Sequence, residues 1–351
     1  MSLPAVDRAL ELAGPFRRQA ELALADRPLP PDLARALLAS DAGVLSQVLW
    51  AAYAARARRF GTRVKVCVLN NALSGLCPED CGYCSQSKAS SADIPRYRLR
   101  PVDELVAAAR DAAASGARRY CMVTATRGPS ARDVAHFAAA ARAIRAELPE
   151  LELCVSLGIM SEAQSRTLHE AGVDYANHNL NTSRRHYPAV CGTHSFDDRV
   201  ATVRHAKAGG LRACSGVIVG MGETDDDLVD VARTLGELGV ESLPVNFLIP
   251  IAGTPFAGLR SPDPGRCLRA LALFRLTSPR AEIRAAGGRE RCLGDLQGLA
   301  LFAANSIFVE GYLTTPGQPR DAARVMIEAL GFTVEATTDA VSDGHALANV
   351  L

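Results

Sequence analysis

The sequence predicts an α/β fold, a (β/α)8 TIM-type barrel with an N-terminal helical extension and a C-terminal helix. Two patterns carry that expectation. From about residue 59 nearly to the end, short apolar runs bounded by polar residues or glycine alternate with stretches of helical periodicity. About eight such strand–helix units fit within ~250 residues, the span a closed barrel of this type requires. Residues 1–58, rich in Ala, Leu and Arg, read as two or three helices packed on the barrel, the barrel itself as 59–332, and 333–351 as a C-terminal tail that fits no motif. A doubly wound open sheet is the competing architecture.

The elements follow in order. In the extension, Asp32–Leu38 and Val44–Trp50 carry apolar residues at helical spacing. The candidate strands are Val64–Leu69, Arg119–Thr124, Glu152–Leu157, Val173–Asn177, Arg212–Val219, Ser242–Phe247, Glu282–Ala286 and Ser306–Val309. Helical patterns fill the intervals at Val102–Ser115, Ala131–Leu148, Ser161–Ala171, Phe196–Ala208, Thr224–Leu238, Pro264–Leu276 and Arg291–Ala303. Ser161 before Glu162 and Asp263 before Pro264 are cap signals. Thr314–Gly317 reads as a turn leading to a last helix from about Arg320 to Leu330. In such a barrel, chemistry gathers at the C-terminal ends of the strands and in the loops that follow them.

Composition narrows the class. The chain has 351 residues and a formal charge of +1, with Lys and Arg dispersed rather than blocked, which favours neither nucleic acid nor an anionic membrane as partner. No apolar run approaches the ~18 residues of a membrane span. The N-terminus, with Asp7 early and no charged-then-apolar stretch, lacks an export signal, so a cytoplasmic protein is expected. Ten cysteines in such a chain point to metal or redox chemistry rather than to disulfides.

The densest chemical signal is Gly75-Leu76-Cys77-Pro78-Glu79-Asp80-Cys81-Gly82-Tyr83-Cys84-Ser85-Gln86-Ser87, immediately after the first candidate strand. Zinc sites pair C-x2-C units and no partner pair follows; bacterial ferredoxins use another order of spacings. Three thiolates in C-x3-C-x2-C spacing can hold three irons of a cubane [4Fe–4S] cluster and leave the fourth without a protein ligand. An open iron is where a small molecule can bind and accept an electron. This segment resembles the radical S-adenosylmethionine superfamily.

Seven cysteines lie elsewhere. Buried cysteine is commonly a small hydrophobe, and packing is the ordinary reading for Cys67, Cys191, Cys267 and Cys292. Cys121, Cys154 and Cys214 differ in that each falls within a separate candidate strand. If their side chains point inward, three thiols converge in the lumen.

Further segments, in order, make the resemblance specific. They are Asn177-His178-Asn179-Leu180-Asn181-Thr182-Ser183, the run from Cys214-Ser215-Gly216 to Gly222-Glu223-Thr224, and Pro244-Val245-Asn246-Phe247-Leu248. Ile283-Arg284-Ala285-Ala286-Gly287-Gly288-Arg289 and Ala304-Asn305-Ser306-Ile307-Phe308 complete the set. Together with the cysteine loop they resemble the biotin synthases over about residues 45–332. The resemblance implies a second cluster, [2Fe–2S], held by Cys121, Cys154, Cys214 and Arg284. On physical grounds arginine is a poor ligand because its guanidinium stays protonated. Without the motif, Arg284 reads as a barrel-end salt bridge.

The resemblance also implies insertion of sulfur into dethiobiotin to form biotin, the last step of biotin biosynthesis. S-adenosylmethionine would bind the open iron, and one electron would release a 5′-deoxyadenosyl radical able to attack a saturated C–H bond. Asn177, Asn179 and Asn246 would contact dethiobiotin, and Tyr83, Asn179, Asn181 and Ile218 the adenosylmethionine. Asn177, Asn179 and Asn181 alternate along the chain and so share one face when extended. Amides offer donor and acceptor to a ureido ring or a ribose, although an isolated asparagine more often forms a turn. His178, between amides, reads as a hydrogen-bonding group. Ile218–Thr224 lacks the spacing of a phosphate loop and reads as a backbone approach to adenosine. An electron donor such as flavodoxin or ferredoxin and a homodimer are further implications. Two other classes stay open from the residues: another radical enzyme of maturase or methylthiolase type, and a non-catalytic iron–sulfur carrier or zinc-stabilised scaffold.

Overall fold

A computed structural model describes residues 3–75 and 77–335. Ten strands occur among them: β1 (Arg63–Leu73), β2 (Arg119–Thr124), β3 (Glu152–Ser156), β4 (Tyr175–Asn177), β5 (Arg212–Cys214), β6 (Val217–Val219), β7 (Ser242–Phe247), β8 (Glu282–Ala285), β9 (Ser306–Val309) and β10 (Thr333–Val334). All pair in parallel in the order β1-β2-β3-β4-β5-β7-β8-β9, and β9 returns to β1, so the sheet closes into an eight-stranded barrel with helical crossovers outside. The open-sheet alternative is thereby excluded. Among the described residues no helix is long and apolar enough to cross a membrane.

Several boundaries differ from expectation for physical reasons. The fifth strand, expected unbroken over Arg212–Val219, is split at Ser215-Gly216. The Asn179 carboxamide accepts the Gly216 N–H at 3.0 Å, taking it off the ladder. A Cβ at Gly216 would meet the Pro244 carbonyl oxygen at 1.8 Å, so the close approach needs glycine. The helix expected over Arg291–Ala303 is a short α-helix, Arg289–Leu293, followed by a 3-10 run, Gly294–Phe302; Gly294, at φ +51°, makes the break. The first strand runs four residues further than expected, and its register with β2 shifts between Asn71 and Leu73. The irregularity falls just before the cysteine loop, which follows the end of this strand. At the other end, Thr333 and Val334 pair with Arg63 and Val64, which ties down the start of the expected tail; residues 336–351 lie outside the described residues.

The extension forms four helices, Leu3–Leu12, Arg17–Leu24, Pro31–Leu38 and Leu45–Phe60, of which the last packs against the barrel helix Pro264–Thr277. Its Arg56 is fully buried and donates to the carbonyl oxygens of Gly61, Arg63 (2.9 Å) and Ala304 (3.3 Å), over the ring of Phe332. Trp50, Tyr53, Phe302 and Phe332 stack edge-on at 5.2–6.2 Å between centroids. These contacts join the extension to the closing strand pair, and each fully buried aromatic or aliphatic side chain contributes roughly 1.5–3 kcal/mol.

The N-terminal end of the barrel is plugged by charge. Lys65 reaches Glu152 at 3.0 Å and Glu282 at 3.4 Å, while Arg119 grips Glu282 at 3.0 and 2.9 Å and Glu152 at 2.7 Å. Arg119 also lies 3.8 Å over the Tyr175 ring. Burial alone would neutralise Glu282, but Arg119, Lys65 and Arg284 outweigh it and hold its carboxyl well below the usual range. Lys65 also lies 3.9 Å from Glu335, which Arg118 holds at 3.6 Å, and Arg284, paired with Glu282, is the cation next to the barrel thiols.

Candidate active site

Above that plug, at the C-terminal ends of the strands, lies a cavity of about 260 Å³. Every residue assigned to the site from sequence lines it: Cys77, Cys81 and Cys84; Cys121, Cys154, Cys214 and Arg284; and Tyr83, Asn177, Asn179, Asn181, Ile218 and Asn246.

The cysteine loop is shaped by its backbone. Cys77 N–H donates to Gln86 O (3.2 Å) and Cys84 N–H to Cys81 O (3.1 Å), while Gly82 is clamped between Val190 O and Phe256 N. A Cβ at Gly82 would lie 2.6 Å from the Phe256 ring, so the residue directly after Cys81 has room only for glycine. Three soft donors opening on one cavity fit a cluster that needs three thiolates. Burial pushes the Cys77 thiol up to about 11 and the Cys84 thiol up as well; Cys81 rises because it donates to Cys191 and is itself buried. These thiols stay protonated at neutral pH until a cation replaces the proton.

The barrel thiols are set by register. Cys121 and Cys154 are direct neighbours on β2 and β3, and Cys214 on β5 pairs with Asn177 on β4. Their side chains converge with Cys67, Tyr175, Ala286 and Phe308 in one buried cluster. Cys154 bonds to both other thiols; its proton, with Arg284 close by, outweighs burial and draws the Cys214 thiol down to about 5. Asn177 Nδ2 donates to Cys214 Sγ at 3.1 Å. The donor set is therefore three sulfurs beside the Arg284 guanidinium, a setting that suits an anionic iron–sulfide group.

Arg284 forms the salt bridge expected of it without the motif, and it also lies beside the barrel thiols. It forms the ion pair with Glu282 and donates to Ser306 Oγ (3.0 Å) and Ser242 Oγ (3.1 Å), while Nη1 turns toward Cys214 Sγ at 3.9 Å. Burial would strip its proton, but Cys67 and Glu282 more than offset that and raise its pKa well above the ordinary value.

The amides line one wall. Asn177 Nδ2 donates to Asn179 Oδ1 (3.3 Å), and Asn181 Nδ2 to the Tyr83 hydroxyl (2.7 Å). Asn181 sits at φ +69°, a left-handed conformation that asparagine tolerates, and its carbonyl takes the Ile218 N–H at 2.9 Å. Asn246 bridges Val217 O (2.9 Å) and Gly287 N (3.0 Å). The His178 ring lines the cavity with its buried Nε2 unpartnered, and burial beside Arg199 keeps it neutral. The Ile218–Thr224 turn is occupied by its own chain: the Glu223 carboxylate accepts from Gly220 N (2.9 Å) and Met221 N (2.7 Å), which bars a phosphate.

Sequence reasoning missed several lining residues. Tyr312 is half-buried next to Phe308, from a segment with no motif to mark it. Arg199 holds the Asn179 carbonyl at 2.8 Å from a helix whose pattern reads as packing. Gln86 was within the cysteine motif, and accepts from Asn71 Nδ2 (3.3 Å) and Gly75 N (3.1 Å). Cys191, read as packing, is buried in the core outside the cavity lining, and its Sγ lies 3.7 Å from Cys81 Sγ.

Comparison with known proteins agrees with this geometry. The Radical SAM superfamily model matches residues 72–235, and the Biotin and Thiamin Synthesis associated domain model matches 244–333. Biotin synthase of Thermus thermophilus is 47% identical over 315 residues, 89% of this chain and 95% of that protein. Biotin synthase 2 of Frankia casuarinae is 48% identical over 310 residues, 88% of this chain and 86% of that protein. The crystal structure of methylornithine synthase superposes with a TM-score of 0.80 over 92% of this chain and 98% of its own, at 22% identity, a likeness of fold.

Proposed function

The chain belongs to the biotin synthase family of the radical S-adenosylmethionine superfamily, and on that premise we propose which residues carry sulfur insertion into dethiobiotin to form biotin. The superfamily implies a [4Fe–4S] cluster and S-adenosylmethionine. Cys77, Cys81 and Cys84 hold that cluster; Cys121, Cys154 and Cys214, with Arg284, hold a [2Fe–2S] cluster. When bound, these groups supply the electron, the radical chemistry and the sulfur that no acid, base or nucleophile of the chain could bring to a saturated C–H bond.

The chain's own side chains orient and enclose. Tyr83, Asn179, Asn181 and Ile218 position adenosylmethionine, with Asn181 pre-set by its bond to the Tyr83 hydroxyl. Asn177, Asn179 and Asn246 hold dethiobiotin; Asn246, with both ends of its amide anchored, keeps one N–H and one lone pair for a ureido ring. Phe308 and Tyr312 wall the cavity near the barrel thiols and exclude water from the reacting carbon. The protein acts as a cytoplasmic homodimer that takes its electrons from a flavodoxin- or ferredoxin-type donor.

One observation supports this reading above the rest: both thiol sets and the amide strip open on a single cavity. The test is an anaerobic assay of reduced, reconstituted protein with adenosylmethionine and dethiobiotin. Biotin together with 5′-deoxyadenosine is the expected result. Deoxyadenosine without biotin would indicate a different radical enzyme on this scaffold, and neither product a non-catalytic iron–sulfur protein.

A further inference from the structure

Cys191 has no part in the site described above, yet it is placed with care. With His194 it forms a local C-x2-H unit on the loop after the short helix Tyr187–Val190, and both side chains are buried against Cys81. Donor atoms of Cys81, Cys191 and His194 all lie within 4.8 Å of one another, a grouping found nowhere else among the described residues. We propose that in the cluster-free chain these three residues form a site for one thiophilic divalent cation of the zinc(II) or iron(II) class.

The spacings match a coordination sphere before any cation arrives. Cys81 and Cys191 Sγ are 3.7 Å apart. Two thiolates bound at ~2.3 Å to a tetrahedral zinc are separated by about 3.8 Å. His194 Nε2, the ring nitrogen that Glu79 leaves free, is 3.8 Å from Cys191 Sγ, near the ~3.5 Å edge expected for one sulfur and one nitrogen ligand. His194 Nδ1 is bound to the Glu79 carboxylate, which is also held by Arg127 (3.2 Å) and Thr193. A carboxylate on one ring nitrogen orients the other toward a metal, the usual outer support of a metal-binding histidine. Asp80 Oδ1, fixed by Gly192 N and Thr193 N, accepts from Cys191 Sγ at 3.1 Å and lies outside the three-donor group, so the chain supplies three ligands. Binding exchanges two thiol protons for the cation and releases them to solvent.

The site shares Cys81 with the loop cluster, so the two are mutually exclusive. That competition, though not the site itself, rests on the cluster assignment proposed above. Zinc(II) held at Cys81, Cys191 and His194 keeps one cluster ligand out of reach, and cluster assembly must first displace it.

The experiment uses the full chain, stripped of metal under anaerobic conditions and titrated with cobalt(II) as optical probe. The readout is the difference between wild type and Cys191→Ser, which cancels cobalt taken up by the barrel thiols. Expected is one Cys191-dependent cobalt with a thiolate charge-transfer band and tetrahedral d–d bands. His194→Gln should weaken it at least about tenfold, and Cys77→Ser should leave it intact, with circular dichroism confirming that each variant is folded. Identical titrations for wild type and Cys191→Ser would overturn the proposal, as would loss of the signal in Cys77→Ser as deep as in Cys191→Ser. Zinc preloading should slow cluster reconstitution in wild type and not in Cys191→Ser. Failure of both proteins to form a reduced [4Fe–4S] electron-resonance signal without zinc would count against the cluster assignment, and leave the cobalt result to decide the cation site.

Discussion

The two sets of thiols that face each other across the cavity are built on opposite principles. Cys77, Cys81 and Cys84 sit within one loop whose shape comes from turns and from a few backbone bonds to Gln86, Val190 and Phe256. Cys121, Cys154 and Cys214 come from three strands, aligned by the parallel register of the barrel and seated on the buried plug of Lys65, Arg119, Glu152 and Glu282. A loop can be emptied of its ligands while the barrel stands. The barrel thiols cannot be moved without disturbing the strands that close the sheet. This separation suits the proposed chemistry: one cluster must admit a ligand at its open corner, and the other must be presented at a fixed distance.

The largest expected effect breaks the loop side alone. Cys84→Ala should reduce adenosylmethionine cleavage to background while costing only about 1 kcal/mol of stability, in the ordinary range for a single substitution. Activity and a urea melt measured on the same sample check this. A cooperative collapse of the fold would erase the contrast between loop and barrel. Next comes the plug. Glu282→Ala strands Arg284 and leaves Arg119 and Lys65 to share Glu152, and removal of one member of a buried ion network costs roughly 3–5 kcal/mol. The expected result is a large fall in the urea midpoint. A shift no greater than that of Cys84→Ala would mean that the charges under the barrel thiols carry little of the fold. Third is Arg284→Ala, which removes the group facing Cys214. Biotin yield should fall about 10- to 100-fold, the usual range for support of a metal site, while deoxyadenosine still forms. Unchanged biotin yield would deny Arg284 any functional weight.

The same contrast explains what could be read from the sequence. The loop thiols were legible because their spacing is local, and the barrel was legible because strand–helix alternation repeats. The convergence of Cys121, Cys154 and Cys214 depends on register, which spacing alone leaves conditional; the family motifs supplied the missing step. What stayed hidden depends on contacts between distant segments. Cys191 meets Cys81 across more than a hundred residues, and Tyr312 reaches the lumen from a stretch with no periodicity. The split of the fifth strand was hidden for the same reason, since it follows from a side-chain amide, Asn179, capturing the Gly216 N–H.

The smallest effect lies between the two thiol sets, in the support of the asparagine strip. Just after Asn181 the chain is tied down by Asp227 on the helix Asp225–Glu237, which accepts from Ser183 Oγ (2.5 Å), Thr224 N (2.8 Å) and Arg185 (2.5 Å). Burial would raise its pKa, but the hydroxyl, the backbone N–H and the guanidinium together outweigh that and leave it below the ordinary carboxylate value. A carboxyl with a depressed folded pKa stabilises the fold fully above its unfolded value, near pH ~4, and that contribution disappears as pH falls through the folded value. Asp227→Asn should therefore cost about 1 kcal/mol at pH 7, typical of a lost capping-box residue. It should also flatten the decline of stability below about pH 4, because the neutral amide has no proton to gain. Thermal melts from neutral to acidic pH compare the two chains directly. Parallel curves would show that Asp227 contributes shape without charge, and would place the acid sensitivity of the fold in the barrel plug instead.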